Sequence, residues 1–333
     1  MCWNQTHAPA PDGRRGPGCW AHPEPGDPGS HDASRPRRHR PASPTGAGGL
    51  SWEPPPLSRD QERPEPLRDV EPAEPLAAWF GGKRYLAKRI IERIDTIPHS
   101  LYAEPFVGLG GVFLRRRRQP KMEVANDLNG EVVNLFRVVR EHPDELARQF
   151  NWAVASRLEF RRLVRTPPDT LTDVQRAARF VYLQKLAFGG KPATLMTEGQ
   201  MSLNRTGAEM GTNQLRRRVA AAHRRLQRVR LECLPWDAFM RRYDRPHTLF
   251  YLDPPYWGHE NDYGKGMFAR ADFERMAAIL RELQGRFILS LNDLPEVREI
   301  FAGFDFQEVT IRYSPHPKAV RRAKELLISS PSP

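Results

Sequence analysis

The run Thr248-Leu249-Phe250-Tyr251-Leu252 passes without a break into Asp253-Pro254-Pro255-Tyr256, and no other stretch constrains this 333-residue chain as much. Apolar, aromatic and β-branched residues in succession predict a short strand, and two prolines end it abruptly in a rigid, extended turn. Such a turn can hold a planar amine. The Asp253 carboxylate and the Pro254 carbonyl offer acceptors to an exocyclic NH2, and the face of Tyr256 can stack on the ring that carries it. An ordinary strand-ending turn uses the same residue types, so the motif alone leaves both readings open.

A second motif narrows the choice. Leu101-Tyr102-Ala103-Glu104-Pro105 reads as a short buried strand, and Phe106-Val107-Gly108-Leu109-Gly110-Gly111 then opens a helical stretch expected to begin near Val112. Gly108 and Gly110 let the backbone turn tightly, as in the first strand-to-helix loop of a nucleotide-binding sheet. The Gly-x-Gly-x-x-Gly spacing is not met, so a phosphate cradle is not indicated, although a cofactor without phosphates fits such a loop. The run Lys121 to Asp127 predicts a second strand ending in a carboxylate about 20 residues after the glycines, the separation at which an acid receives ribose hydroxyls.

Trp79-Phe80-Gly81-Gly82-Lys83, the Glu104 to Gly110 loop, Asn126-Asp127-Leu128-Asn129, Asp253-Pro254-Pro255-Tyr256 and Lys324-Glu325-Leu326-Leu327-Ile328 stand in this order along the chain. In these motifs the chain resembles the Dam-type (D12 class) family of DNA adenine-N6 methyltransferases, from about residue 76 to about 330. The resemblance implies a Rossmann-like α/β fold with a mostly parallel sheet, an antiparallel edge strand and an inserted, mainly helical recognition subdomain. It also implies S-adenosylmethionine as cofactor and double-stranded DNA as partner, with methyl transfer to N6 of a flipped-out adenine. Trp79, Lys83, Phe106, Gly108, Gly110, Asp127 and Asp237 are its expected cofactor residues, Lys83 by the methionine part and Asp237 by the adenine. Asp253, Pro254, Pro255 and Tyr256 are its catalytic turn. Cytosine N4 presents a similar amine and is the alternative acceptor; a catalytically silent DNA-binding protein is the alternative of another class.

Composition divides the chain. Residues 1–75 hold 16 of the 32 prolines and 8 of the 24 glycines with almost no periodic apolar pattern, which predicts a disordered tail. No methionine lies between Met1 and Met122, so that tail is read as either a linker or a start-site artefact. Cys2, Cys19 and Cys233 make neither a metal-ligand spacing nor a disulfide framework, so no metal is expected. The tail has no apolar run suited to a signal or a membrane span, which predicts a cytoplasmic chain. A partner nuclease cannot be inferred from the residues.

Charge points to the insertion. Residues 1–75 sum to −2, whereas residues 151–235 carry sixteen Lys and Arg against six Asp and Glu. A basic region between cofactor loop and catalytic turn is the footprint of nucleic-acid binding. The expected division is a catalytic core of residues 76–150 and 229–333 around a target-recognition region of residues 151–228. Helices are predicted over 84–95, 128–139, 145–157, 174–188 and 213–228. The last sets Leu215, Val219, Ala222 and Leu226 on one face and Arg216, Arg217, Arg218, Arg224 and Arg225 on the others, where they can meet phosphates. Between these helices a polar hairpin over 188–205 is expected, with Lys191, Gln200, Asn204 and Arg205 as DNA-contacting candidates. Residues 258–267, rich in glycine, are expected to form a loop over the target base.

Overall fold

The computed structural model describes residues 66–79, 81–187, 196–197, 199–201, 211–264, 266–316 and 319–331. In chain order the elements are β1 (Arg68–Asp69), α1 (Ala87–Thr96), β2 (Leu101–Glu104), β3 (Arg118–Gln119), β4 (Met122–Asn126), α2 (Gly130–Glu141), α3 (Pro143–Arg148), α4 (Arg157–Arg165), α5 (Asp173–Leu186), α6 (Thr212–Leu226), β5 (Val229–Glu232), α7 (Trp236–Tyr243), β6 (Thr248–Leu252), α8 (Ala271–Arg281), β7 (Arg286–Asn292), α9 (Pro295–Ile300), β8 (Asp305–His316) and β9 (Ala319–Ser329).

Seven of these strands form one sheet in the order β5-β4-β2-β6-β7-β9-β8. The pairs from β5 to β7 are parallel, and β9 enters antiparallel between β7 and β8. The α/β sheet with an antiparallel pair at one edge is therefore as expected. Strands β2 and β6 are buried along their whole length, which is why both read as apolar runs rather than alternations. Side chains still divide by parity along β6: Leu249 and Tyr251 pack on one face of the sheet, Phe250 and Leu252 on the other.

The first face joins α1, α2, α4, α5 and α6 in one apolar cluster that includes Ile90, Leu135, Phe160, Phe180 and Leu226. The second face is filled by Phe239, Phe273, Phe287 and Phe301, each fully buried and each contributing about 1.5–3 kcal/mol relative to exposure. Helices α5 and α6 both pack on α2. The sharp start of α5 comes from a capping box, Thr172 accepting from the Gln175 amide while the Gln175 side chain accepts from the Thr172 amide.

Three expectations differ from the structure. No helix begins near Val112: Phe113–Arg115 form one 3-10 turn, and Arg116 turns extended because its guanidinium is drawn into the core by Glu123. The periodicity over 145–157 spans a break, since α3 stops at Arg148 and α4 starts afresh from Ser156, whose side chain caps the Glu159 amide. Residues 66–75 fall within the stretch expected to lack structure, yet β1 pairs with β3, Ala73 is buried, and Glu71 and Glu74 pair with Arg224 and Arg115. Among the described residues no helix is long and apolar enough to cross a membrane.

Candidate active site

Because the strand order reverses between β2 and β6, the connections leave the sheet in opposite directions and open a crevice at the carboxyl ends of these strands. A cavity of about 840 Å³ occupies that position. Four carboxylates line it: Glu104 at the end of β2, Asp127 just past β4 and Asp253 just past β6, with Glu74, paired to Arg115, as the fourth.

The run Asn126-Asp127-Leu128-Asn129 holds one side of the cavity by three separate devices. The Asn126 amide nitrogen donates to the carbonyls of Pro105 and Leu234, and its oxygen accepts from the Leu234 amide, so one buried side chain ties two loops together. The two Asp127 oxygens each accept a backbone N–H, from Gly108 and from Asn129, both at 2.9 Å. Burial pushes the Asp127 carboxyl up to about 6 against these two bonds. Asn129 then caps α2 by accepting from the Glu131 amide.

Glycine is required at two points of the facing loop. Gly108 (φ +50°) and Gly110 (φ +75°) are left-handed, and a Cβ would lie 2.7 Å from the Trp79 ring nitrogen at the first and 2.7 Å from a Leu114 side-chain carbon at the second. The first glycine thus makes room for Trp79, which lines the same cavity. Phe106, Trp236 and Phe268 supply an aromatic wall, with ring centroids 6.0–6.5 Å apart.

At the other end Lys83 and Asp253 form an ion pair of 2.5 Å, with side chains 4% and 20% exposed. Ser290 on β7 donates to the same Asp253 oxygen at 3.1 Å, and Tyr251 shares a hydrogen bond with Ser290. Burial raises the Asp253 carboxyl above its ordinary range, opposed by the Lys83 ammonium and by the Ser290 hydroxyl. The turn beyond is clamped from β7 and β9. Asn292 accepts from the Trp257 amide and donates to the Trp257 carbonyl, while the Tyr256 hydroxyl donates to Glu325 at 2.6 Å. Asn292 and Glu325 are partners across the β7–β9 register, so one rung fixes both residues. The Lys83 ammonium lies 4.6 Å from the Tyr256 ring centroid.

Of the expected cofactor residues, Trp79, Lys83, Phe106, Gly108 and Asp127 line the cavity, and Gly110 supports the loop from behind. Asp237 is not among the lining residues: it sits in the first turn of α7, where its carboxylate pairs with Arg241 at 2.6 Å. Asp253 and Pro255 line the cavity, and Pro254 and Tyr256 flank them in the same turn without being among the lining residues. The arginines of α6 separate. Arg218 lines the cavity and donates to the Pro75 carbonyl, Arg216 and Arg217 face a groove beside α3, and Arg224 pairs with Glu71. Arg225 is a correction to its expected phosphate-facing position: it is buried and holds Glu123. The Gln200 side chain accepts from the Thr197 amide, and the antiparallel bridge Ala187–Met201 closes the base of this segment. Lys191, Asn204 and Arg205 lie outside the described residues. In the loop over 258–267, Met267 and the next residue, Phe268, line the cavity.

Sequence reasoning passed over Glu104, Ser290 and the partnership of Glu325 with Tyr256. Glu104 had a signal, an acid closing an apolar strand immediately before the glycine loop, since a carboxylate there must be bound or functional. Ser290 had none, because a hydroxyl within Phe287 to Leu291 reads as part of the strand.

Carboxylates at the ends of β2, β4 and β6, an aromatic wall and a glycine loop without a phosphate cradle suit a ligand that combines an aromatic base, ribose hydroxyls and cationic centres. Residues 79–314 match the D12 class N6 adenine-specific DNA methyltransferase family. Type II methyltransferase M.CviBI of Paramecium bursaria Chlorella virus NC1A is 23% identical over 72% of this chain and 91% of its own length. DNA adenine methylase of Haemophilus influenzae is 25% identical over 76% and 92%. A solved structure, a putative RNA methyltransferase from Pyrococcus horikoshii, overlaps at a TM-score of 0.32 and 10% identity, over 74% of this chain and 80% of that one. With the motifs of that match gathered at one crevice, the chain belongs to the D12 class of N6 adenine-specific DNA methyltransferases.

Proposed function

We propose that the cavity holds S-adenosylmethionine with its ribose at Asp127, its adenine beside Phe106 and its methionine end at Glu104 and Lys83, and that Asp253 receives the N6 amine of an adenine swung out of duplex DNA. The observation that carries this reading is the Lys83–Asp253–Ser290 arrangement. Both partners engage one Asp253 oxygen, so Oδ2 is the acceptor left for the substrate amine. When bound, the cofactor supplies the methyl group on a sulfonium.

The N6 lone pair is delocalised into the purine ring, so the amine is a poor nucleophile until its geometry changes. Acceptance of its N–H bonds by Asp253 Oδ2 and the Pro254 carbonyl favours a more tetrahedral nitrogen and turns the lone pair toward the methyl donor. The Lys83 ammonium favours the ionised form of Asp253 against its burial. Tyr256, its hydroxyl tied to Glu325, offers a fixed aromatic surface to replace the stacking lost on flipping, which costs a few kcal/mol. Asp127 already receives two backbone N–H groups, and its remaining lone pairs can accept the ribose hydroxyls. Arg84 and Arg218, both lining the cavity, are basic residues that a DNA strand entering the site can meet.

The test is incubation of the full chain with unmethylated DNA and S-adenosylmethionine, followed by nucleoside mass spectrometry. N6-methyladenine is the expected product. Asp253→Ala should lower its formation by at least about 10³-fold while cofactor binding persists. N4-methylcytosine instead would replace the substrate, and comparable turnover by the variant would remove Asp253 from its role.

A further inference from the structure

Beneath the cavity floor lies a buried charge cluster that methyl transfer does not use. Arg116 and Glu123 are fully buried and Arg225 is 4% exposed. Glu123 accepts from Arg116 at 2.7 Å, from Arg225 at 2.5 and 2.8 Å, and from Gln119 at 2.8 Å. Two guanidiniums therefore share one carboxylate. The surplus charge has a direction: the Arg116 guanidinium stacks 3.6 Å from the ring centroid of Tyr102, on β2. The Tyr102 hydroxyl donates to Glu104 Oε1 at 2.6 Å, and Glu104 opens onto the cavity.

We infer that Tyr102, backed by Arg116, is a positioning residue that aims Glu104 at the α-ammonium group of the cofactor and favours its carboxylate form. The inference deepens the proposed function and rests on it. Tyr102 donates to the Glu104 carboxylate, because burial pushes its phenol well above the ordinary range and keeps the proton on its oxygen. Glu104 is the group in the balance. It is raised to about 8 in all: burial is the largest cause, the Tyr102 hydrogen bond and the Arg116 charge oppose it, and the Asp253 and Glu123 carboxylates add to it. Tyr251 faces the same point from β6 with its own phenol held protonated by burial. Without the Tyr102 hydroxyl, Glu104 would be harder still to ionise and a poorer partner for an ammonium group.

The sign follows from the raised value. Above about 8 the carboxylate is ionised and binds a cation at no protonic cost; below it, each binding event must first expel a proton, so affinity falls with pH. Tyr102→Phe removes one oxygen and leaves the ring in its contact with Arg116. Dissociation constants of the wild type and the variant should be measured by calorimetry between about pH 6 and 9, for S-adenosylmethionine and for methylthioadenosine, which lacks the amino-acid portion. The amine of S-adenosylmethionine, itself titrating near about 8, sets the alkaline limb, and Glu104 the acid limb. Expected is an acid limb moved to higher pH in the variant, with about tenfold weaker binding of S-adenosylmethionine at pH 7 and unchanged binding of methylthioadenosine. Superimposed acid limbs, or an equal loss for both ligands, would overturn the inference and leave Tyr102 as packing. Absence of S-adenosylmethionine binding by the wild type at any pH would instead overturn the cofactor reading on which it rests.

Discussion

Helix α6 carries arginines of two kinds, and the difference between its ends is instructive. Leu215, Val219, Ala222 and Leu226 make its core-facing stripe. Arg218 and Arg225, seven residues apart, share one flank of that stripe. Arg225 is drawn inward onto Glu123, while Arg218 reaches the Pro75 carbonyl and the cavity. Arg216 and Arg217 lie away from the stripe and remain exposed beside α3. A charge sum treats all four alike. In the folded chain Arg225 belongs to the sheet, Arg224 to Glu71, Arg176 to Glu131 and Arg162 to Glu159, so much of the basic character of residues 151–235 is spent inside the protein.

The largest expected effect tests the buried end. Glu123→Gln leaves Arg116 and Arg225 in the core without a full counter-charge, and stability should fall by about 3–5 kcal/mol, read as a lowered urea midpoint. Arg225→Met should cost less, about 1–2 kcal/mol, because a one-to-one Arg116–Glu123 pair survives and the longer losses are the Phe113 carbonyl bond and packing on the Phe113 ring. The order matters more than the values: if Arg225→Met proved the costlier change, the two guanidiniums would not be sharing one carboxylate as the geometry has them.

How legible all this is in the sequence depends on whether the information is local. Strands β2, β4 and β6 are legible because central parallel strands are continuous apolar runs, and Asp127 and Asp253 because each closes such a run. The order of motifs along the chain then brings Trp79, Lys83, Asp127 and Asp253 to one crevice. What escapes is set by partners distant in sequence. Arg116 ends the expected helix after Val112 through Glu123, Glu325 meets Tyr256 across 69 residues, and Arg225 meets Glu123 across 102. Asp237 presents the opposite case, since its partner Arg241 is local, one helical turn along α7. An acid after an apolar strand is compatible with a cofactor contact and with a helix-terminal ion pair, and only the direction of the side chain separates them.

The smallest effect on stability comes from the exposed end, and it is the sharpest test of where DNA runs. Arg216→Ala with Arg217→Ala should change stability by no more than about 0.5 kcal/mol, as surface substitutions do. DNA binding is the informative readout. Each arginine that meets a phosphate contributes about 0.9 to the slope of log affinity against log salt. A strand crossing the cavity mouth on its way to Asp253 passes Arg218, so Arg218→Ala should flatten that slope by about one while the Arg216/Arg217 double variant leaves it unchanged. A duplex lying instead along the α3–α6 groove reverses the pattern, with about two lost from the double variant and nothing from Arg218→Ala. Arg148, Arg216 and Arg217 line that groove with Asp144 among them, so the two salt slopes, and not the charge of the groove, separate the two courses.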